Sequence, residues 1–369
     1  GHLFNLESYL IFWKVMVKTD ITINTTKSSR LGDVDFENIQ FGRVFSDHMF
    51  VADFEGGAWK NFEILPFQDL QYNPAFNSLH YGQSVFEGMK AHLDSDNNVV
   101  LFRPLDNFAR LNRSCERLCM ATIDPQIMLD GLSELVKIDK NWIPKTDDGA
   151  LYIRPFIFAT DQYIGVAPSE TYKMVIFTCP VNKYYDTAVK VKVEDVYSRA
   201  ASGGTGFAKA AGNYAASLLP AKIAKEEGYD QLIWTDSVEH KYIEESGTMN
   251  LMVIIDGTII TPPAGETILG GITRSSVIQI AKDLGYPVDE RQISVDEVIE
   301  AHKAGKLEDM FGTGTAVTIT HISGFGRKGV DFELSPISER KISLKLKSVL
   351  EGIKRNQNNS YPDWLVIVN

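Results

Sequence analysis

The sequence predicts a mixed α/β (α+β) protein of two domains. Period-2 apolar alternation recurs in both halves, and apolar residues at helical spacing follow Pro104 and Asn213. A polar, tyrosine-rich stretch from Asn182 to Thr187 separates the halves. With 369 residues, 44% of them hydrophobic, the chain is long enough to bury two cores.

In chain order, Gly1 to Val15 read as a leader without an expected role, because a chain opening Met16-Val17-Lys18-Thr19 reads as an ordinary start. Phe41 to Phe67 alternates like a β-meander, with Glu55-Gly56-Gly57 as its turn. Ser84–Leu93 and Val99–Phe102 form a hairpin around Asp94-Ser95-Asp96-Asn97-Asn98. Pro104 opens a helix with Leu105, Phe108, Leu111, Cys115 and Leu118 on its apolar side, and a second runs from Pro125 to Trp142. Leu151–Phe158 and Tyr172–Val181 complete a smaller domain over residues 16–181 as strands. Residues 182–188 are the linker.

The larger domain, 189–369, opens with the period-2 strand Val189–Val193. A helix from Asn213 to Glu227 stops at Gly228. Strands follow at Gln231–Thr235 and Gly247–Ile255, with Asp256-Gly257 as a hairpin turn. Thr273–Leu284, Ser294–Ala304 and Ile337–Arg355 are helices, the last with a cationic face read as solvated.

A formal charge of -11 repels nucleic acid and anionic membranes, and no apolar run approaches the ~20 residues of a membrane helix. Three cysteines build no disulfide framework. Cys115 and Cys119 do not form a CxxC pair, and no metal site is expected. Reduced thiols and the missing signal-peptide pattern suit a cytoplasmic protein.

Two glycine-rich segments could cradle phosphate. Ser202 to Lys209 lacks the Gly-Lys-Ser/Thr of a Walker loop, and Gly312-Thr313-Gly314-Thr315-Ala316 lacks the third glycine of a dinucleotide fingerprint. Each alone is an ordinary turn. Lys209 stands out, flanked by Ala208 and Ala210-Ala211-Gly212, where a flat ligand could approach its amine. That is the setting a Schiff-base lysine requires.

The segment Gly206-Phe207-Ala208-Lys209-Ala210-Ala211-Gly212-Asn213-Tyr214 resembles the active-site lysine segment of branched-chain amino-acid aminotransferases, which are pyridoxal-phosphate enzymes of fold type IV. Five further stretches match in family order: Phe41 to Met49, Val85 to Ala91, Tyr152 to Pro155, Glu245 to Asn250 and Phe311 to Ala316. The resemblance runs from about Gln40 to the C-terminus. It implies two mixed α/β domains with pyridoxal 5′-phosphate at their interface. The implied reaction passes the amino group of L-leucine, L-isoleucine or L-valine to 2-oxoglutarate in ping-pong fashion. Rival readings are a D-amino-acid transaminase or aminodeoxychorismate lyase of the same fold type, or a catalytically silent metabolite-binding relative.

By that resemblance Lys209 is the catalytic lysine, which condenses with the cofactor aldehyde and later moves the proton. Glu245 pairs with the pyridine nitrogen, and Tyr214 donates to the ring oxygen. Arg110 holds the phosphate, together with Ile272 and Thr273 at a helix N-terminus and the hydroxyls of Thr315 and Thr248. On their own residues, Glu244 and Glu245 would be exposed carboxylates, and Arg110, Arg113 and Arg117 a solvated stripe.

Phe41, Tyr81, Phe86, Tyr184, Thr248 and Ala316 match the apolar side-chain pocket. Tyr152 and Arg154 match the pair for the distal carboxylate of glutamate, and Thr315 with Ala316 offers turn N–H groups to the α-carboxylate. Ile164 and Val166 match a loop supplied by a neighbouring subunit, so a homodimer is implied. Mammalian members carry a CxxC after the Gly-Thr-Ala turn. Here those positions are Val317 and Thr320, so no thiol switch is expected there.

Overall fold

A computed structural model describes residues 18–182 and 187–369. The 1–15 segment and Tyr184 lie outside the described residues. Among the described residues the strands form two nine-stranded sheets. The first runs in the order Thr22–Ile23, Ala58–Pro66, His48–Glu55, Tyr172–Val181, Ala150–Ala159, Met89–Leu93, Val99–Phe102 and Leu365–Val368, with Ser84–Phe86 also on Ala150–Ala159. All but its first pairing are antiparallel.

Three helices belong with this sheet: α1 (Asn77–Tyr81), α2 (Pro104–Arg117) and α3 (Pro125–Ile138). Proline at the first turn suits α2 and α3, because its missing N–H costs nothing there. Asp124 caps α3 by accepting from Gln126 N. The helices press Phe108, Leu111, Leu132 and Leu135 onto Phe50, Ile64, Leu101 and Ile153, which form one core.

The second sheet runs Ile243–Ser246, Gln231–Thr235, Val189–Val193, Ile319–Arg327, Leu307–Thr313, Met249–Ile255, Thr258–Thr261 and Val288–Glu290, with Val330–Glu333 on Ile319–Arg327. Ile243–Ser246 also pairs with Met249–Ile255, so six strands close into a ring. Closure removes the exposed edges that an open sheet would carry. The strand Met249–Ile255 is apolar on both faces. Leu251 and Val253 join one core with α6 (Val295–Lys303), while Met252 and Ile254 join another with α5 (Ile272–Asp283) and α7 (Lys341–Lys354). The remaining helix is α4 (Ala211–Glu226).

Most predicted elements stand within a few residues of their expected bounds. The meander is a hairpin that begins at His48 rather than Phe41. The expected strand Ser84–Leu93 is broken at Glu87-Gly88, and that at Gly247–Ile255 begins at Met249. Gly247 has φ +55, so the chain turns there instead of extending. The last helix starts at Lys341 after a short 3₁₀ turn, and its cationic side is not wholly solvated, since Lys354 is buried. The C-terminal strand Leu365–Val368 pairs with Val99–Phe102 and so returns to the first sheet. No helix among the described residues is long and apolar enough to cross a membrane.

Candidate active site

Lys209 lies two residues before α4, in a segment held to the first sheet rather than the second. Its carbonyl accepts from Phe86 N at 3.1 Å, and its own N–H donates to Ser114 Oγ of α2 at 2.8 Å. The next residue, Ala210, bridges to Val85. The small residues predicted to leave room beside the amine thus also let the loop lie against a strand. Lys209 Nζ donates to Tyr214 Oη at 2.9 Å and sits over the Phe86 ring, 4.9 Å from its centroid. Starting α4 at Ala211 puts Tyr214 on its first turn, facing back toward the lysine.

Lys209 opens into a cavity of about 330 Å³ between the sheets, lined by Phe41, Phe86, Tyr152, Arg154, Tyr214, Thr248, Thr315 and Ala316 among others. A recess beyond Tyr214 and Thr248 reaches Glu245 and Arg199. Another, beyond Gly88 and Thr315, reaches Ile272 and Thr273. A larger concavity of about 800 Å³ lies elsewhere on the first sheet, between Met49, Phe76 and Phe158, and contains none of the predicted site residues.

Glu245 and Glu244 are both buried, against the exposed positions their charges suggested, because the ring of strands encloses Ile243–Ser246. Of the two, Glu245 lines the recess. Burial lifts its carboxyl above the usual range, while the Arg199 guanidinium and the Leu269 N–H oppose that shift. Arg199 Nη2 donates to Glu245 Oε1 at 3.1 Å, and Leu269 N donates to the same oxygen at 2.8 Å. Burial lifts Glu244 to about 7.

Arg110 is 6% exposed, so it is no member of a solvated stripe; only Arg113 on that face is exposed. Its Nε and Nη2 each donate to Glu87, which is fully buried, at 2.7 Å, and Nη1 donates to Gly270 O at 3.1 Å. Burial alone would disfavour the charge, but the Glu87 carboxylate outweighs it and raises the Arg110 pKa. The Gly270 contact brings Arg110 to the N-terminus of α5, where no side chain caps the helix. Thr273 is buried there beside the half-buried Ile272.

Tyr152 and Arg154 alternate on one strand and share its cavity face. Arg154 Nη2 donates to Tyr152 Oη at 3.1 Å, and its guanidinium lies 4.5 Å from the Phe86 ring centroid. Arg154 Nε is buried with no partner among the described residues. Phe41 meets Tyr152 edge-on at 5.0 Å.

Tyr81, Ile164 and Val166 do not line this cavity. They gather elsewhere: Tyr81 ends α1, and Asn77 of that helix donates to Gly165 O. Ile164 and Val166 are 68% and 86% exposed. Two functional groups escaped the sequence reading. Glu87 stood inside a recognised stretch, where a carboxylate between Phe86 and Gly88 marks a buried charge in need of a cation. Arg199 carried no comparable cue.

A lysine and a phenol between a buried carboxylate and an uncapped helix end, enclosed by two mixed sheets, are the arrangement expected of a class IV aminotransferase. The chain belongs to that family: the family model described as amino-transferase class IV matches residues 84–325. Within it, the chain groups with the branched-chain-amino-acid aminotransferases. Branched-chain-amino-acid aminotransferase 2 of Bacillus subtilis (strain 168) is 46% identical over 92% of this chain and 94% of its own. Among solved structures, branched-chain aminotransferase from Thermoproteus uzoniensis with norvaline matches with a TM-score of 0.72 at 27% identity, over 87% of this chain and 100% of that one. A T.th. branched-chain amino acid aminotransferase with pyridoxamine 5′-phosphate matches with a TM-score of 0.70 at 25% identity, over 86% and 98%.

Proposed function

We propose that this aminotransferase binds pyridoxal 5′-phosphate between the two sheets and transfers the amino group of L-leucine, L-isoleucine or L-valine to 2-oxoglutarate, releasing L-glutamate and a branched 2-oxo acid. The observation that carries the reading is Lys209 Nζ at 2.9 Å from Tyr214 Oη, with Glu245 at one end of the cavity and the α5 N-terminus at the other. The donor set suits the cofactor. An uncapped helix end and the spare N–H groups of Arg110 suit a phosphate, whereas the Thr315 hydroxyl donates to Gly88 O; a buried carboxylate suits a protonated ring nitrogen.

When bound, the cofactor supplies an aldehyde for the amino group and an electron-accepting ring. The side chains do the rest. Arg199 opposes the effect of burial on Glu245 and so favours its carboxylate, which would hold a proton on the ring nitrogen. Tyr214 donates toward the ring oxygen and positions the Lys209 amine, which takes the α-proton as a base and returns it as an acid. Enclosure between the sheets, completed in the proposed homodimer by the second copy, would limit water at that transfer.

Specificity follows from the cavity walls. Phe41, Phe86 and Thr248 offer apolar surface to a branched side chain, and Arg154 with Tyr152 accepts the distal carboxylate of 2-oxoglutarate through its unpartnered Nε and remaining N–H groups. The exposure of Ile164 and Val166, grouped with Tyr81, supports a homodimer in which a second copy completes the cavity. The proposed division is into units near 16–181 and 189–369, with the linker between, the site at their junction, and the strand Leu365–Val368 of the second unit crossing back to the first sheet.

With 2-oxoglutarate as acceptor, L-leucine should be the better donor and D-alanine should give little turnover. A preference for D-alanine would favour the rival reading of a D-amino-acid transaminase and end this one.

A further inference from the structure

The turn Gly314–Val317 closes the strands Leu307–Thr313 and Ile319–Arg327 and forms one wall of the Lys209 cavity. Its own backbone holds it weakly. Gly314 N donates to Thr318 O at 3.4 Å, and the N–H groups of Thr315, Ala316 and Val317 find no partner among the described residues. Three free N–H groups on a cavity wall suit a carboxylate. They serve it only if the turn keeps its shape.

The restraint comes from the other sheet. Thr315 Oγ1 donates to Gly88 O at 3.2 Å, and Lys90 Nζ donates to Ala316 O at 2.7 Å. The peptide unit is planar, so fixing the Ala316 carbonyl also fixes the opposed N–H of Val317. A charge-assisted bond is about twice as strong as a neutral one. Lys90 is therefore the firmer of the two clamps.

The lysine is itself held in a prepared setting. It borders a second cavity, of about 200 Å³, on the far side of the turn. From α7, Lys347, Glu351 and Lys354 face that cavity, as does Arg355 just past the helix; from the loop before Ala150, so does Asp148. His92 shares the strand of Lys90, and Tyr152 is its register partner on the neighbouring strand. Thr318 ties the α7 charges to the turn, donating to Glu351 and accepting from Lys354 Nζ at 2.8 Å.

We propose that Lys90 is a positioning residue for the α-carboxylate of every substrate: its ammonium grips the Ala316 carbonyl and holds the turn in the shape that presents its free N–H groups. This rests on the reading of the cavity as the amino-acid site. Lys90 need not touch substrate, and it gives the turn a titratable clamp. Burial and the charges of Lys354 and Arg355 bring Lys90 down to about 8, with Glu351 and Asp148 opposing. Its grip is full below that pH and weakens above it.

The test uses holoenzyme and 4-methylvalerate, which has the carboxylate and branched tail but no amino group to react, with 4-methyl-1-pentanol as a carboxylate-free control. Lys90→Met should weaken 4-methylvalerate roughly ten-fold and leave the alcohol within about two-fold. Lys90→Arg should restore most of the affinity. Between pH 7 and 9 the wild type should lose roughly five-fold in 4-methylvalerate affinity, and Lys90→Arg should lack that component because arginine does not titrate there. Should Lys90→Met fail to fold, the pH comparison with Lys90→Arg decides alone. Equal binding of 4-methylvalerate by wild type and Lys90→Met, equal weakening of the alcohol, or an unchanged pH component in Lys90→Arg overturns the proposal. A wild type that binds no 4-methylvalerate instead overturns the amino-acid-site reading itself.

Discussion

Replacing Glu87 by alanine would strand a guanidinium between the sheets. Glu87 is fully buried and takes two bonds of 2.7 Å from Arg110, whose other partner among the described residues is the Gly270 carbonyl. Removing one member of a buried pair costs about 3–5 kcal/mol, because the survivor keeps its desolvation penalty without its counter-charge. Two charge-assisted bonds at about 1.5–3 kcal/mol each give an overlapping range of about 3–6 kcal/mol. Glu87→Ala should therefore lose about 4 kcal/mol. Glu87→Gln, whose amide oxygen still accepts one bond, should lose roughly half of that. The double replacement Glu87→Leu with Arg110→Leu removes both charges and should cost less than Glu87→Ala alone. The assay is urea unfolding of cofactor-free protein, so that ligand binding adds nothing, with midpoints compared at a common slope. A Glu87→Ala loss below about 0.5 kcal/mol, the scale of an ordinary surface change, would refute the reasoning. So would a double mutant as unstable as the two single losses combined.

Three other outcomes are expected. Arg199→Gln removes the cation that opposes burial at Glu245 and so raises its pKa further; kcat should therefore begin to fall at a higher pH than in the wild type as the pH is lowered, by up to roughly ten-fold per pH unit, as the carboxyl gains a proton; a pH–rate profile unchanged from the wild type would contradict this. Arg154→Ala should raise KM for 2-oxoglutarate and glutamate by roughly 10–100-fold and that for leucine by only about three-fold, and equal losses would remove its proposed role. Gly271→Ala would bring a methyl within 2.1 Å of Asn250 Oδ1, beside the α5 N-terminus; about 1–3 kcal/mol of stability should be lost, with weaker cofactor retention on dialysis, and wild-type retention and stability together would show that the helix end tolerates the methyl.

Local chemistry was legible in the chain. Pro104 and Pro125 announce α2 and α3, Asp256-Gly257 announces its hairpin, and small residues around Lys209 announce a close approach. Partnerships across long separations were not. Val99–Phe102 gives no sign that Leu365–Val368 will pair with it, because a strand edge can accept many partners. The ring closure that buries Glu244 and Glu245 depends on Ile243–Ser246 finding two neighbours at once, so their charge argued for the surface. Arg110 shows the same limit. Its helical spacing with Arg113 and Arg117 describes a stripe, and only Glu87, 23 residues away, lets it be buried. Tyr81, Ile164 and Val166 lie away from the cavity of their own chain, a separation that sequence order cannot express.

The central claim is that Lys209 is the lysine bonded to the cofactor. The visible absorption spectrum of purified holoenzyme tests it most directly. The holoenzyme should be yellow, and its lysine-linked band should disappear in Lys209→Ala together with amino transfer from L-leucine to 2-oxoglutarate. A Lys209→Ala protein that keeps both the band and turnover would contradict it.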